Sequence, residues 1–187
     1  MKAGIVSDIH AQPAALRLAI EAMGPIDTLI CLGDAINQAR FCNETIGLLR
    51  DKRALTILGN HEEAFFAGPG ARGSDVDGVL ADWLAQRPRR IDTLLGDLRV
   101  VIVHSTPWPS GHAYVPVSHR DFHRFAVPGA DVVLYGHTHQ PLVREIDGTL
   151  VINPGSVGEG RPTTQGFIRS CAMLDVAARD AVIIDLD

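Results

Sequence analysis

The chain has 187 residues, 46% of them hydrophobic, which is one domain by length with enough apolar material for a real core. A formal net charge of −5 gives no support for a broad basic face that would hold nucleic acid. Three widely spaced cysteines suggest neither a disulfide framework nor a cysteine zinc site. No apolar run approaches membrane-spanning length, and the amino terminus enters a strand pattern by Ala3 without the basic-then-apolar layout of a signal peptide. A cytoplasmic protein is therefore expected.

The first apolar run, Ala3–Val6, is short and closes at Asp8 and His10, as a strand buried on both faces should. Pro13–Met23 reads as an amphipathic helix, begun by proline and stopped at Gly24-Pro25. Thr28–Leu32 ends at Gly33-Asp34, a second helix is predicted from about Ala39 to Arg50, and Ala54–Leu58 ends at Gly59-Asn60-His61. This alternation predicts a parallel sheet built from right-handed crossovers. Gly68–Ser74 is glycine-rich and predicts a loop bordering the site, followed by a helix from about Asp75 to Gln86.

From Ile91 the pattern changes. Ile91–Leu95 and Leu98–Val103 flank Gly96-Asp97, a two-residue turn suited to a hairpin, and the second run ends at His104. Asp131–Tyr135 ends at Gly136-His137-Thr138-His139, and a second hairpin is predicted to turn at Asp147-Gly148. Cys171–Val176 and Asp180–Leu186 supply two more strands. The whole, residues 1–187, is predicted to be a single α/β domain, a four-layer α/β/β/α sandwich of two mixed β-sheets flanked by helices.

If the five runs that close at polar clusters lie parallel and side by side, their carboxyl ends share one edge, where ligands bind in open α/β sheets. Asp8, His10, Asp34, Asn60, His61, His104, His137 and His139 would then converge. Asp8 and His10, two apart, point the same way from a strand end. Asp34 offers two oxygens that can bridge two cations, and Gly33 lets the backbone turn tightly there. Imidazole with carboxylate and amide oxygen suits manganese, iron, cobalt, nickel or zinc better than calcium or magnesium.

Asp8-Ile9-His10, Gly33-Asp34, Gly59-Asn60-His61-Glu62, His104 and Gly136-His137-Thr138-His139, in that order, resemble the calcineurin-like metallophosphoesterase superfamily. Its small bacterial and archaeal phosphodiesterases, single-domain proteins of about this length, are the nearest likeness. The resemblance implies two divalent transition-metal ions, manganese first, with iron, nickel, cobalt or zinc as alternatives. It assigns Asp8, His10 and His139 to the first ion and Asn60, His104 and His137 to the second, with Asp34 bridging. It further implies in-line attack on a small phosphodiester by a hydroxide bridging the two ions, with His61 off the metals as general acid and Asn60 near the phosphate.

The departures from the family pattern also matter. Phosphoprotein phosphatases of the superfamily follow Gly-Asp with an aspartate that orients the catalytic histidine and an arginine that grips phosphate. Asn37 and Gln38 stand there in this chain. Losing that bidentate arginine favours a diester over a monoester dianion. Ala11 and Ser105 replace frequent glycines. The rival readings are a phosphomonoesterase, a dinucleoside polyphosphate hydrolase and, more remotely, a protein-interaction scaffold. The expected partner is a small phosphoester substrate, with no membrane and with homo-oligomerisation left open.

Outside the set, His112 lies in a loop placed to floor the substrate cleft. Trp108 and Tyr114 either stack on a substrate ring or pack that loop to the body. His119 and His123, four apart on a predicted helix, read as a solvated face. Arg87, Arg89 and Arg90 read as a helix C-terminal cap, and Arg161 as the better candidate anchor for substrate.

Overall fold

A computed structural model of the chain describes residues 1–68, 73–164 and 166–186. Residues 69–72 of the predicted Gly68–Ser74 loop lie outside these.

Two mixed sheets form the body. In the first, β1 (Lys2–Val6), β2 (Thr28–Cys31) and β3 (Leu55–Thr56) run parallel. A later antiparallel pair completes it: β10 (Gly166–Asp175) lies against β1, and β11 (Asp180–Leu186) against β10. A short β9 (Arg161–Thr163), absent from the sequence expectation, also pairs with β10. The second sheet is built from β4 (Arg90–Leu95), β5 (Leu98–Val103), β6 (Val132–Leu134), β7 (Leu142–Ile146) and β8 (Thr149–Asn153), in the order β4-β5-β6-β8-β7. Its centre, β5, β6 and β8, is parallel, while β4 and β7 return as antiparallel hairpin arms.

The five ligand-bearing runs therefore do not share one sheet edge as expected. Three belong to the first sheet and two to the second. The reason is the alternation of side chains along each strand. Ile5, Ile30 and Leu32 point inward and need apolar cover, which Val100, Ile102, Leu134 and Ile152 of the second sheet provide. Val6, Leu29 and Cys31 face the other way, onto helices.

Those helices are α1 (Pro13–Met23), α2 (Asn43–Asp51), α3 (Asn60–Ala67) and α4 (Gly78–Ala85). α1 begins at its proline as predicted. α2 starts later than Ala39 because Asn37 and Arg40 exchange backbone hydrogen bonds in a tight turn, 3.1 and 3.0 Å. α4 starts at Gly78 because Asp77 caps it, its side chain accepting from the Val79 and Leu80 amides. Over the outer face of the second sheet the fourth layer is thin: a 3-10 helix, Phe122–Phe125, packs Phe122 and Phe125 against Val101, Val133 and Tyr135. His119 precedes this element and His123 lies within it, so the predicted helix that would pair them is not formed. No helix among the described residues is long and apolar enough to cross a membrane.

Candidate metal centre

Beyond β1 and β2 the pairing continues as two loops. Asp8 N donates to Gly33 O at 3.1 Å and His10 N to Asp34 O at 3.0 Å. Asp8, His10, Asp34, His137 and His139 all take left-handed backbone conformations, with φ between 50° and 64°. Asp8 and His10 thus point into one site because of turns, not because of the strand alternation expected. Such conformations cost roughly 1–3 kcal/mol each and persist where the surroundings over-determine them. Gly33, at φ 94°, also lets two loops touch: a Cβ there would lie 2.7 Å from the Gly59 amide nitrogen.

Asn60 and His61 open α3, a helix not anticipated from sequence. Its third residue, Glu62, is fully buried and accepts the amides of Gly59 (2.7 Å), Asp34 (2.8 Å) and Ile36 (3.0 Å). The legible signal was a glutamate at the third helical position, which can return to the cap amide as half of a capping box. Burial, reinforced by Asp34, pushes its carboxyl up to about 7.

Three groups of donor atoms could each hold a metal ion: Asp8, His10 and His139; Asp34, His104 and His137; and, between them, His10, Asp34 and His61. In the first, Asp8 Oδ1 and His139 Nε2 are 3.2 Å apart and the Nε2 atoms of His10 and His139 3.3 Å. In the second, His104 Nε2 is 3.2 Å from Asp34 Oδ2 and 3.0 Å from Asn60 Oδ1. Every site residue predicted from sequence therefore lies in one connected cluster. His61, expected clear of the metals, sits with its Nε2 3.9 Å from Asp34 Oδ2, at the junction of the other two groups.

The hydrogen bonds show what these donors fit. His104 Nδ1 meets the Leu32 carbonyl at 2.8 Å, so that nitrogen carries hydrogen and Nε2, which faces two oxygens, is the nitrogen left for an ion. His137 Nε2 donates to the His112 carbonyl at 2.9 Å, leaving Nδ1 as its lone-pair nitrogen. Among the described residues, Asp8 Oδ1 and His10 Nδ1 are buried without a hydrogen-bond partner. Imidazoles and carboxylates turned on one another suit a divalent transition ion, which would take the place of the ring hydrogens between them.

Protein charges alone strain to satisfy the same atoms. Burial works against a charged His104, yet the Asp34 carboxylate outweighs it and lifts the ring to about 9. Burial and the nearby His104 charge push His137 down to about 4. Burial would raise Asp8, but His139 and His104 outweigh it and hold it at about 2.

Neighbouring residues prop the cluster. Ser7 Oγ and the His137 amide both donate to Asp8 Oδ2, at 2.6 and 3.0 Å. The buried Asn153 amide holds the Gly136 carbonyl (2.8 Å) and Thr138 Oγ1 (3.1 Å). Gln38, where phosphatases of the superfamily carry arginine, donates its backbone N–H to His61 Nδ1 at 3.2 Å, which places the ring hydrogen on Nε2. Tyr114 stacks on His137 with ring centroids 4.0 Å apart. His112 Nε2 lies 3.2 Å from Glu63, itself paired with Arg89.

Trp108 instead packs against Phe125 and under Arg124, which fixes its loop to the body. Arg87 reaches back to the Trp83 carbonyl, as a C-terminal cap should, whereas Arg89 and Arg90 are taken up by Glu63 and Asp92. Arg161 is not placed as an anchor, because Asp185 holds its guanidinium through two 2.9 Å contacts.

A two-sheet sandwich carrying paired histidine and carboxylate clusters at one end defines a metal-dependent phosphoesterase. This chain belongs to the calcineurin-like phosphoesterase superfamily, whose domain model matches residues 1–179. It is 28% identical to Phosphodiesterase YfcE of Escherichia coli K12 over 189 residues, covering 98% of this chain and 96% of that protein. It is also 28% identical to a phosphodiesterase of Methanocaldococcus jannaschii over 159 residues, 83% of each chain. In three dimensions it resembles a metallophosphoesterase from Sphaerobacter thermophilus, with TM-score 0.79 and 24% identity, over all of this chain and 89% of that one.

Proposed function

We propose that this phosphoesterase hydrolyses small phosphodiesters with two divalent transition-metal ions, manganese first among them. The observation that carries the reading is Asp34, whose carboxylate belongs to the His104–His137 group and also to a group with His10, itself a member of the Asp8–His139 group. Asp8, His10 and His139 would hold one ion, and His104, His137 and Asn60 the other, with Asp34 shared. When bound, the ions would supply an acidified water and charge neutralisation at the phosphoryl group.

The chain's own contribution is orientation and hydrogen bonding. The Gln38 amide at Nδ1 leaves the His61 Nε2–H facing the donor cluster, 3.9 Å from Asp34 Oδ2, where it would donate a hydrogen bond to the departing oxygen. Acting as general acid, the ring would enter the step as imidazolium, with Nδ1 protonated and released from the Gln38 amide, and return to neutral as the proton leaves Nε2. Asn60, one residue earlier on α3 and 3.0 Å from His104 Nε2 through its Oδ1, would lie beside the same phosphate. Support for a diester comes from the relatives named phosphodiesterases and from the glutamine at 38, which cannot grip a dianion as an arginine would.

The test is hydrolysis by chelator-stripped protein reloaded with manganese, comparing an aryl phosphodiester with its monoester. Restored turnover that favours the diester supports the reading. Monoester preference would replace it with a phosphomonoesterase, and pyrophosphate cleavage of a dinucleoside polyphosphate would replace it with that hydrolase. Stoichiometric metal without any turnover would point to a binding role.

A further inference from the structure

Beside His139 a cavity of about 570 Å³ opens, walled by Gly158, Glu159, Gly160, Phe167 and Arg169. Its volume lies within the span of ordinary ligand pockets, roughly 300–1,000 Å³. His139 belongs to both the cavity and the first donor group, so a substituent on a phosphate held at that group has direct entry.

The Glu159 backbone is pinned from several sides. Gly158 N donates to Asp8 O at 3.0 Å, and Gly158 O accepts from Gln12 Nε2 at 2.9 Å. The Glu159 amide donates to Ser156 Oγ at 2.7 Å, which itself donates to Asp8 O at 2.8 Å. Side chains are barred on both flanks: a Cβ on Gly158 would strike the Ile9 carbonyl, and one on Gly160 would come within 2.8 Å of the Ile168 backbone.

The Glu159 carboxylate, by contrast, is half exposed. It faces only His10 Nε2 at 4.0 Å and His139 Nδ1 at 3.9 Å, with no lysine or arginine paired to it among the described residues. Phe167 presents a ring that is 77% exposed on the same cavity, and Arg169 a guanidinium with no ion pair among the described residues.

A bare carboxylate beside the phosphate position repels further negative charge and accepts hydrogen bonds from hydroxyls, as acidic residues do for a ribose diol. An exposed aromatic face stacks on a nucleobase whatever its sequence identity. We propose that this cavity is the subsite for a nucleoside substituent of the diester, with Glu159 on the sugar hydroxyls, Phe167 on the base and Arg169 on the base's acceptor edge. The inference rests on the phosphodiesterase reading and adds its substrate class.

Two diesters with the same leaving group test it: the p-nitrophenyl ester of uridine 5′-phosphate and methyl p-nitrophenyl phosphate, hydrolysed by the manganese-loaded protein. The expected result is a kcat/KM at least tenfold higher for the uridine ester, carried by KM. In Phe167→Ala and Glu159→Gln that ratio should fall towards one, with metal content by mass spectrometry at the wild-type level. Equal kcat/KM for the two esters in the wild type would overturn the subsite while leaving the diesterase intact. A uridine preference that survives both substitutions would also overturn it, placing the nucleoside elsewhere, and so would variants that lose metal and both activities together. Failure of the wild type to cleave either ester would instead sink the phosphodiesterase reading.

Discussion

Glu62 accepts the backbone amide of Asp34 at 2.8 Å, across 28 positions of sequence, and through the same oxygen accepts Gly59 at 2.7 Å. One buried carboxylate thereby registers the loop after β2 against the first turn of α3. Asp34, Asn60 and His61 take their relative positions from it. The reciprocal bond, from the His61 amide to Asp34 Oδ1 at 2.8 Å, closes the arrangement.

Glu62→Gln should therefore disturb the site from behind. An amide has one oxygen where the carboxylate uses two, and its NH2 would face a backbone donor. Loss of a charge-assisted bond and exposure of an unpaired buried amide together predict about 2–4 kcal/mol of lost stability in denaturant unfolding. Turnover should fall more steeply than folding does. Wild-type stability in this variant would remove Glu62 as the organiser.

Asp34→Ala should cost at least one metal equivalent and nearly all turnover. The loss is expected to exceed about 100-fold, the upper reach of an outer-shell substitution. Elemental analysis with parallel kinetics reads both quantities, and unchanged activity would end the shared-ligand assignment.

His61→Ala should retain metal while losing rate. If His61 delivers a proton, the deficit should shrink towards nothing as the leaving group becomes a better one, from an alkoxide to a nitrophenolate. A deficit of constant size across that series would assign the ring to phosphoryl charge instead.

Tyr114→Ala removes the ring stacked on His137. Aromatic stacking of this kind is worth about 0.5–1.5 kcal/mol, so metal affinity at the His104–His137 side should weaken by roughly two- to tenfold. Competitive chelator titration measures it. Affinity equal to wild type would make the contact a surface feature without consequence.

The elements and site residues were legible to different depths. Both hairpins turn where Gly96-Asp97 and Asp147-Gly148 stand, because two-residue turns are local events. The start of α2 was misplaced because the Asn37–Arg40 turn competes with helix through backbone bonds that residue preference does not reveal. α3 went unseen because its first turn is held by Glu62 reaching into another loop, a tertiary contact rather than a periodicity. The helix expected beneath His119 and His123 failed for the reverse reason, a spacing that suited a helix where the chain forms a 3-10 turn, although both side chains are exposed as the solvated-face reading had it.

What the sequence alone determined is the kind and order of the donors: short apolar runs closed by Asp8 and His10, by Asp34, by Asn60 and His61, by His104, and by His137 and His139. Each cluster is encoded within a few residues, so one-dimensional reading reaches it. How the clusters meet was decided only by the tertiary structure. The Asp8 carboxylate takes the amide of His137 from 129 positions away, and the Asp8 carbonyl takes the Ser156 hydroxyl from 148. Two sheets must first bury their inner faces against each other before those ends come together. The same packing turns Asp8, His10, Asp34, His137 and His139 left-handed, buries Glu62 beneath them and sets Glu159 at their open side. Contacts of that range leave no local pattern in the chain, because the driving force is burial of surfaces that come together only when the whole sandwich is closed.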